Sequence, residues 1–358
     1  MQFVTIIIQY LLSIAALSLI VIVHELGHFS MARLSGVRVE EFFIGFGPKL
    51  FKVKDRRGTT FGISAIPFGG YNKLLGMDRN ERIPSGMENK SFHNKPAYKK
   101  LLISIGGTGF NIIFAVLLIW IFLCFAAPTT TIGYVEPGSA ADEADFKLED
   151  RFVSMEGHKI EKWEDFVLLT ENNPGEEVNY IIERNGEEAE IKVKLTDKDG
   201  EGYLGVAPSQ YFNPGYAIKN YGFFGLIKES FTMTWDITIT YVKAFGMLFS
   251  GEIPISEARP VSPVGILNMF RQTASMGMQD FIFFIALISI LIGYGNMIPI
   301  LPLDGGNILF IIIESIRKRP VPQKVIEYFN YAGVFILVSL MLIAVVLDII
   351  NPFSFVNL

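Results

Sequence analysis

His24-Glu25-Leu26-Gly27-His28 closes a stretch, residues 1–23, in which nothing is charged. On a helix this spacing sets two imidazoles one turn apart on one face, with a carboxylate next to the first. That is the arrangement of a zinc site, with His24 and His28 as ligands and Glu25 as the general base. The stretch before it exceeds the roughly 20 apolar residues that cross a bilayer. Ionisable side chains inside such a segment are energetically expensive and mark functional sites. Three of them at ligand spacing point to a metal centre at membrane depth. The plainer alternative is a histidine pair in a structural or ion-relay role.

Half of the 358 residues are hydrophobic and mean hydropathy is positive, at +0.38. Both place the chain among membrane proteins. Four uncharged apolar runs are long enough to span: 3–23, 101–127, 281–303 and 328–347. The third contains Gly293, Gly295, Pro299 and Pro302 and reads as a broken helix, tolerated only where protein or a wet cavity covers the backbone. The first lacks a basic start and a small-residue cleavage site, so it reads as a retained helix rather than a signal peptide. Cys124 is the single cysteine, so no intramolecular disulfide forms.

Charge is distributed unevenly. Residues 33–100 hold 14 Lys/Arg and 6 Asp/Glu, whereas 128–280 hold 13 and 25. A short loop between the third and fourth runs adds Arg317, Lys318, Arg319 and Lys324. Positive loops stay cytoplasmic, so both termini and the 128–280 region are expected outside the cytosol, with four transmembrane helices between. The basic loop is a topology signal, and nothing suggests nucleic acid as a partner.

The first helix should continue past the motif to about Leu34, where Ser35-Gly36 ends it. His24 then lies about 31 Å along the helix from Phe3, toward the cytoplasmic side. Residues 37–72 read as β structure: Val37, Val39, Phe42 and Ile44 alternate, Gly45-Phe46-Gly47-Pro48 turns, and a short strand over 59–66 ends at Pro67-Phe68-Gly69-Gly70. So much Phe and Gly suits a hairpin dipping into the bilayer interface, or else an amphipathic loop packed on helix ends. Residues 77–95 read as a polar, mobile loop. From Thr131 the composition is that of a small soluble domain, with a hairpin of 178–183 and 189–195 around Asn185-Gly186. Residues 216–277 carry amphipathic helical stretches with too many charges to span.

A catalytic zinc takes a third protein ligand and keeps its fourth position open. His93 and His158 lie in a polar loop and in the soluble domain. Asp304, after the broken third run, is the remaining buried candidate; alternatively it is a helix N-cap, where Asp is favoured. With HExxH at similar depth, the ligand reading is preferred.

HELGH in the first run, Leu303-Asp304-Gly305 after the third and a domain inserted between the second and third together resemble the site-2 protease family of intramembrane metalloproteases, in its bacterial RseP/RasP type. The resemblance covers the chain except parts of 77–95 and 210–275. It implies zinc held by His24, His28 and Asp304, Glu25 as catalytic base, and Asn296 contacting the substrate backbone or the developing oxyanion. The segments around Gly45-Phe46-Gly47-Pro48 and Pro67-Phe68-Gly69-Gly70-Tyr71 resemble the family's membrane-associated β loop. Gly69, Gly70 and Tyr71 would there hold an unwound substrate by strand addition. Gly106-Gly107-Thr108-Gly109-Phe110-Asn111 is similar to a family signature with proline where Thr108 stands; close helix packing explains its small residues as well. Ile132-Gly133-Tyr134-Val135 through Ala141, with Glu149-Asp150 and Gly157, looks like one bacterial PDZ domain, with Asp145 where glycine is usual.

The expected fold is thus a multi-pass α-helical membrane protein of four transmembrane helices, with a membrane-associated β loop and an inserted extracytoplasmic PDZ domain of α+β type. The divisions are 1–127, 128–208, an amphipathic connecting region 209–279, and 280–358. The resemblance implies a zinc metalloendopeptidase of a bacterial inner membrane, acting by attack of zinc-activated water. Its partners would be the lipid bilayer and a single-span transmembrane protein or peptide, of anti-sigma-factor or signal-peptide-remnant type. A catalytically inactive membrane scaffold with a PDZ recognition module is the alternative. An ion transporter is disfavoured by the lack of paired half-repeats. The oligomeric state is not legible.

Overall fold

The computed structural model describes residues 2–78, 81–124, 130–198, 200–208, 216–251 and 260–350. The end of the second apolar run, 125–127, and the carboxyl terminus from residue 351 lie outside the described residues, as does 252–259 of the connecting region. Helix α1 (Gln2–Leu34) runs unbroken through the motif, as expected of an apolar stretch without proline. It stops where Gly36 takes φ 72°, with Ser35 N–H on Met31 O and Val37 N–H on Ala32 O.

The chain divides into two compact units, 1–119 with 230–358, and 120–229. In the first, after α1, come β1 (Val39–Lys54), β2 (Thr60–Leu74) and α2 (Ala97–Cys124), which enters the second unit at its end. Among the described residues, four helices are long and apolar enough to cross a membrane: Val4–Leu34, Ala97–Cys124, Met278–Gly295 and Gln323–Ile350. Their outward residues are apolar, Leu11, Ile113 and Phe335 among them. The inner contacts use small and hydroxyl residues, which let backbones approach closely. A Cβ on Gly27 would overlap the Gly106 carbonyl of α2.

The β loop is more continuous than the alternation suggests. Its strands run through Gly45–Pro48 and through 67–70 instead of ending there. Each bends, so that Phe43 pairs with Tyr71 on one side and Gly62 on the other. Glycine makes this possible: Gly45, Gly47 and Gly69 adopt φ 82°, 88° and 85°. Val39, Phe42 and Phe43 are buried, while Leu50, Phe51 and Val53 are exposed. The turn between the strands is held by Asp55, whose Oδ1 accepts from Arg57 and Thr59 N–H, and whose Oδ2 pairs with Arg33.

The segment read as a mobile loop is tied down where described. Phe92 N–H bonds Leu75 O and Arg38 N–H bonds Lys90 O, both at 2.8–2.9 Å. Ser91 is buried.

In the second unit lie β3 (Ile132–Val135), α3 (Ala140–Glu143), β4 (Arg151–Met155), β5 (His158–Lys159), α4 (Trp163–Glu171), β6 (Glu177–Arg184), β7 (Glu187–Lys194), β8 (Thr196–Lys198), β9 (Glu201–Tyr203) and β10 (Val206–Pro208). A four-stranded sheet of order β5-β4-β6-β7 is joined by two-stranded pairs β10-β3 and β8-β9. Phe152, Phe166 and Tyr180 centre the core, and the Tyr180 hydroxyl meets Thr170 Oγ1 at 2.7 Å. The β6–β7 hairpin turns at Asn185 and Gly186, φ 55° and 86°, as the Asn-Gly pair predicts. Asp145 takes φ 62°, a glycine-like position that Asp tolerates better than most residues.

Helix α5 (Tyr216–Ser250) belongs to both units and kinks at Gly222. On it Ser230, Thr234 and Thr238 are buried while Phe231, Trp235 and Val242 are exposed. The first unit then continues with α6 (Pro263–Met276), α7 (Met278–Gly295), α8 (Asp304–Arg317) and α9 (Gln323–Ile350). Helix α6 packs on α1 through Tyr10, whose hydroxyl donates to Asn268 Oδ1 at 3.0 Å. Its first turn is held by Asp348 of α9, which accepts from Ser262 N–H at 2.8 Å.

The third run is not one span. Helix α7 ends at Gly295, residues 296–303 turn, and a second helix begins. The expected short loop before the fourth run is therefore mostly α8. Prolines at 299 and 302 prevent α7 from continuing. Gly305 and Gly306 let α8 start against this turn, since a Cβ on either would overlap backbone of residues 297–301.

Gly27→Leu should force α1 from α2 and lower stability by about 1–3 kcal/mol. Thermal unfolding of the full chain in detergent checks this, and an unchanged midpoint would refute the close contact.

Candidate metal centre

Helix periodicity carries His24 and His28 to one face of α1, and tertiary packing brings Asp304 to them. His24 Nε2 and His28 Nε2 are 3.1 Å apart, and Asp304 Oδ2 lies 3.1 and 3.0 Å from them. Asp304 is the first residue of α8, and Leu303 occupies the cap position. Its carboxylate is thus turned to the histidines rather than spent on capping. Among the described residues this is the one group of three His, Cys, Asp or Glu whose donor atoms converge. His93 and His158 are both exposed and take no part.

The donor set suits a divalent metal. Ligand bonds of about 2.0–2.2 Å at tetrahedral angles separate donors by about 3.3 Å, close to the triangle seen. The glycine at 107 keeps the space beside it open, because a Cβ there would stand 2.5 Å from His28 Nε2 and 2.6 Å from His24 Nε2. The far nitrogens are also provided for. His28 Nδ1 lies 2.7 Å from Ile103 O, an acceptor that orients Nε2 toward a metal. His24 Nδ1 lies 3.4 Å from the Asn111 amide, and the buried Asn111 Oδ1 has no partner among the described residues. Turning that amide by 180° gives His24 Nδ1–H its acceptor and satisfies the orphaned oxygen together.

Asn111 and Gly107 come from the Gly106–Asn111 stretch, where family signature and helix packing stood as alternatives. The residues of the stretch have different neighbours. Gly106 packs on Gly27, and Gly107 and Asn111 adjoin the histidines. The stretch is locked to α7 by Thr108 Oγ1 donating to Gly293 O at 2.8 Å and Ser289 Oγ donating to Asn111 O at 3.0 Å.

Glu25 faces a cavity of about 390 Å³ that also touches His24, His28, Gly69, Gly70, Tyr71, Asn72, Asn296 and Asp304. The carboxylate accepts from Asn72 Nδ2 at 2.7 Å, a contact that no motif announced. Strand β2 approaches so closely that a Cβ on Gly70 would stand 3.2 Å from Glu25 Cγ. The Tyr71 ring stacks on Phe43 at 5.5 Å. Its hydroxyl donates to Glu41 Oε2 at 2.6 Å, and Lys49 and Tyr71 together hold the Glu41 carboxyl below the usual range. Asn296 caps the end of α7, with one side-chain amide hydrogen on Ile292 O at 3.0 Å and its backbone carbonyl accepting from Gly305 N–H at 2.7 Å. It thereby fixes the approach to Asp304.

The sequence pattern of peptidase family M50 matches residues 12–340. A Campylobacter jejuni protein provisionally named a zinc metalloprotease is 34% identical over 358 residues, covering 96% of this chain and 93% of that one. A Brucella suis protein with the same provisional name is 32% identical, covering 91% and 90%. The regulator of sigma-E protease RseP of Escherichia coli is 27% identical, covering 95% and 97%.

Gly107→Ala should weaken divalent-metal affinity at least about tenfold, the scale of disturbing a ligand's surroundings. Chelator competition followed by metal analysis measures this, and wild-type affinity would rule out the proposed position of the ion.

Proposed function

The chain belongs to peptidase family M50, and on that premise we propose that it is a zinc endopeptidase cleaving single-span membrane proteins in or beside the bilayer. The observation that carries this reading is the meeting of His24, His28 and Asp304 beside Glu25 on the wall of one cavity. In this reading the three residues hold zinc. The ion supplies Lewis acidity, lowering the pKa of a water and polarising a carbonyl. Glu25 takes the proton from the attacking water as oxygen bonds to the scissile carbonyl carbon. When the carbon–nitrogen bond breaks, Glu25 returns that proton to the leaving amine. The second amide hydrogen of Asn296 serves the developing oxyanion.

A helical substrate hides its peptide bonds in its own hydrogen bonds and has to open first. The stretch Gly70–Leu74 pairs with Val39–Ile44 along one side. Its other side is the proposed dock for an unwound segment, by strand addition at Gly69, Gly70 and Tyr71. We place the protein in a bacterial inner membrane, with the centre toward the cytoplasm and both termini outside. The 128–208 segment is read as a PDZ domain on the outer side. Anti-sigma factors and signal-peptide remnants are the proposed substrates.

Glu25→Gln should lower cleavage of a single-span test substrate by roughly 10²–10⁴-fold while keeping stoichiometric zinc. Asp304→Ala should lose the zinc as well. Undiminished turnover in the first, or full zinc in the second, would sink the assignment.

A further inference from the structure

Asn72 lies on β2, in register with Phe42, immediately after the Gly69-Gly70-Tyr71 edge. Its Nδ2 donates to two atoms of one residue on another element, Glu25 O and Glu25 Oε2, each at 2.7 Å. Both partners are acceptors, so chemistry sets which way the amide faces. Its own Oδ1 is buried and meets no donor among the described residues. An unsatisfied buried acceptor is destabilising; an apolar residue of similar size would join strand to helix without it. What the amide alone provides is a charge-assisted bond to the carboxylate.

The two bonds act together. The one to the backbone carbonyl fixes the amide to α1, and the one to Oε2 fixes the carboxylate relative to the amide. The glycine at 70 completes the seat, since a Cβ there would press on Glu25 Cγ at 3.2 Å. Oε2 is thus occupied, leaving Oε1 to exchange the proton. We propose that Asn72 is a positioning residue, holding the Glu25 carboxylate in its working orientation and tying it to the strand on which substrate would dock. The proposal rests on the endopeptidase reading above. A base displaced by about 1 Å is a poor base, so the effect belongs in turnover rather than in substrate binding.

The test compares the full-length wild type with Asn72→Leu, which keeps the volume without the donor, and Asn72→Gln, which keeps a carboxamide. Steady-state cleavage of a single-span substrate in detergent micelles and zinc content are measured for each. Asn72→Leu should lower kcat roughly 10–100-fold, with KM within about twofold of wild type and zinc stoichiometric. Asn72→Gln should recover a clear part of the loss. Wild-type kcat in Asn72→Leu overturns the proposal, as does a loss that follows zinc or folded protein, or a Gln variant no better than Leu. If the wild type itself does not cleave, the endopeptidase reading fails separately. The contact is then read from unfolding midpoints of Asn72→Leu, Glu25→Leu and the double variant. Non-additive shifts support the Asn72–Glu25 tie, and additive shifts remove it.

Discussion

Two imidazoles and two carboxylates inside an apolar helical bundle have to be satisfied by other protein groups, and much of the first unit is arranged to do so. In a low-dielectric interior an unpaired polar group is expensive and a paired one is strong. Asp304 therefore meets His24 and His28, His28 meets Ile103 O, His24 meets Asn111, and Glu25 meets Asn72. These partners come from α1, α2, β2 and α8. Three of those elements are brought close by glycines. The Gly27–Gly106 approach holds α1 to α2, and the Gly305-Gly306 pair seats α8 on the turn after α7.

The β loop has a similar logic. A strand can lie beside an active-site helix only if side chains between them are removed, and Gly70 removes one. The remaining space is filled by Asn72, which turns a packing contact into a polar one. Two long strands that bend at Gly45, Gly47 and Gly69 place one edge at the cavity and carry exposed Leu50, Phe51 and Val53 elsewhere. In the proposed reading that edge is where an opened substrate pairs, since main-chain groups recognise any sequence.

Much of the plan was legible because it depends on local periodicity. The reach of α1 to Leu34, its stop at Gly36, the Asn185-Gly186 hairpin and the break in the third apolar run all follow from spacing and turn chemistry. The connection after α7 differs from expectation: the basic residues 317–324 read as a short loop, and α8 (Asp304–Arg317) forms ahead of them because its apolar face has the protein to pack on. The β loop was cut short at its glycines and prolines, which bend the strands rather than end them. Asn72 carried no signal at all, since it stands at the end of the 37–72 β segment with no motif to single it out.

By itself, the sequence determined that two imidazoles share one face of a helix beside a carboxylate, because i and i+4 share a face whatever surrounds them. It also determined the apolar runs and the lopsided charge. Only the tertiary structure decided whether Asp304 caps a helix or faces the histidines. It also decided that Gly106 packs on Gly27 while Gly107 faces the imidazoles, and that the Asn72 amide meets the Glu25 carboxylate. Those outcomes depend on contacts between residues as much as 280 positions apart, and such contacts leave no period in the chain.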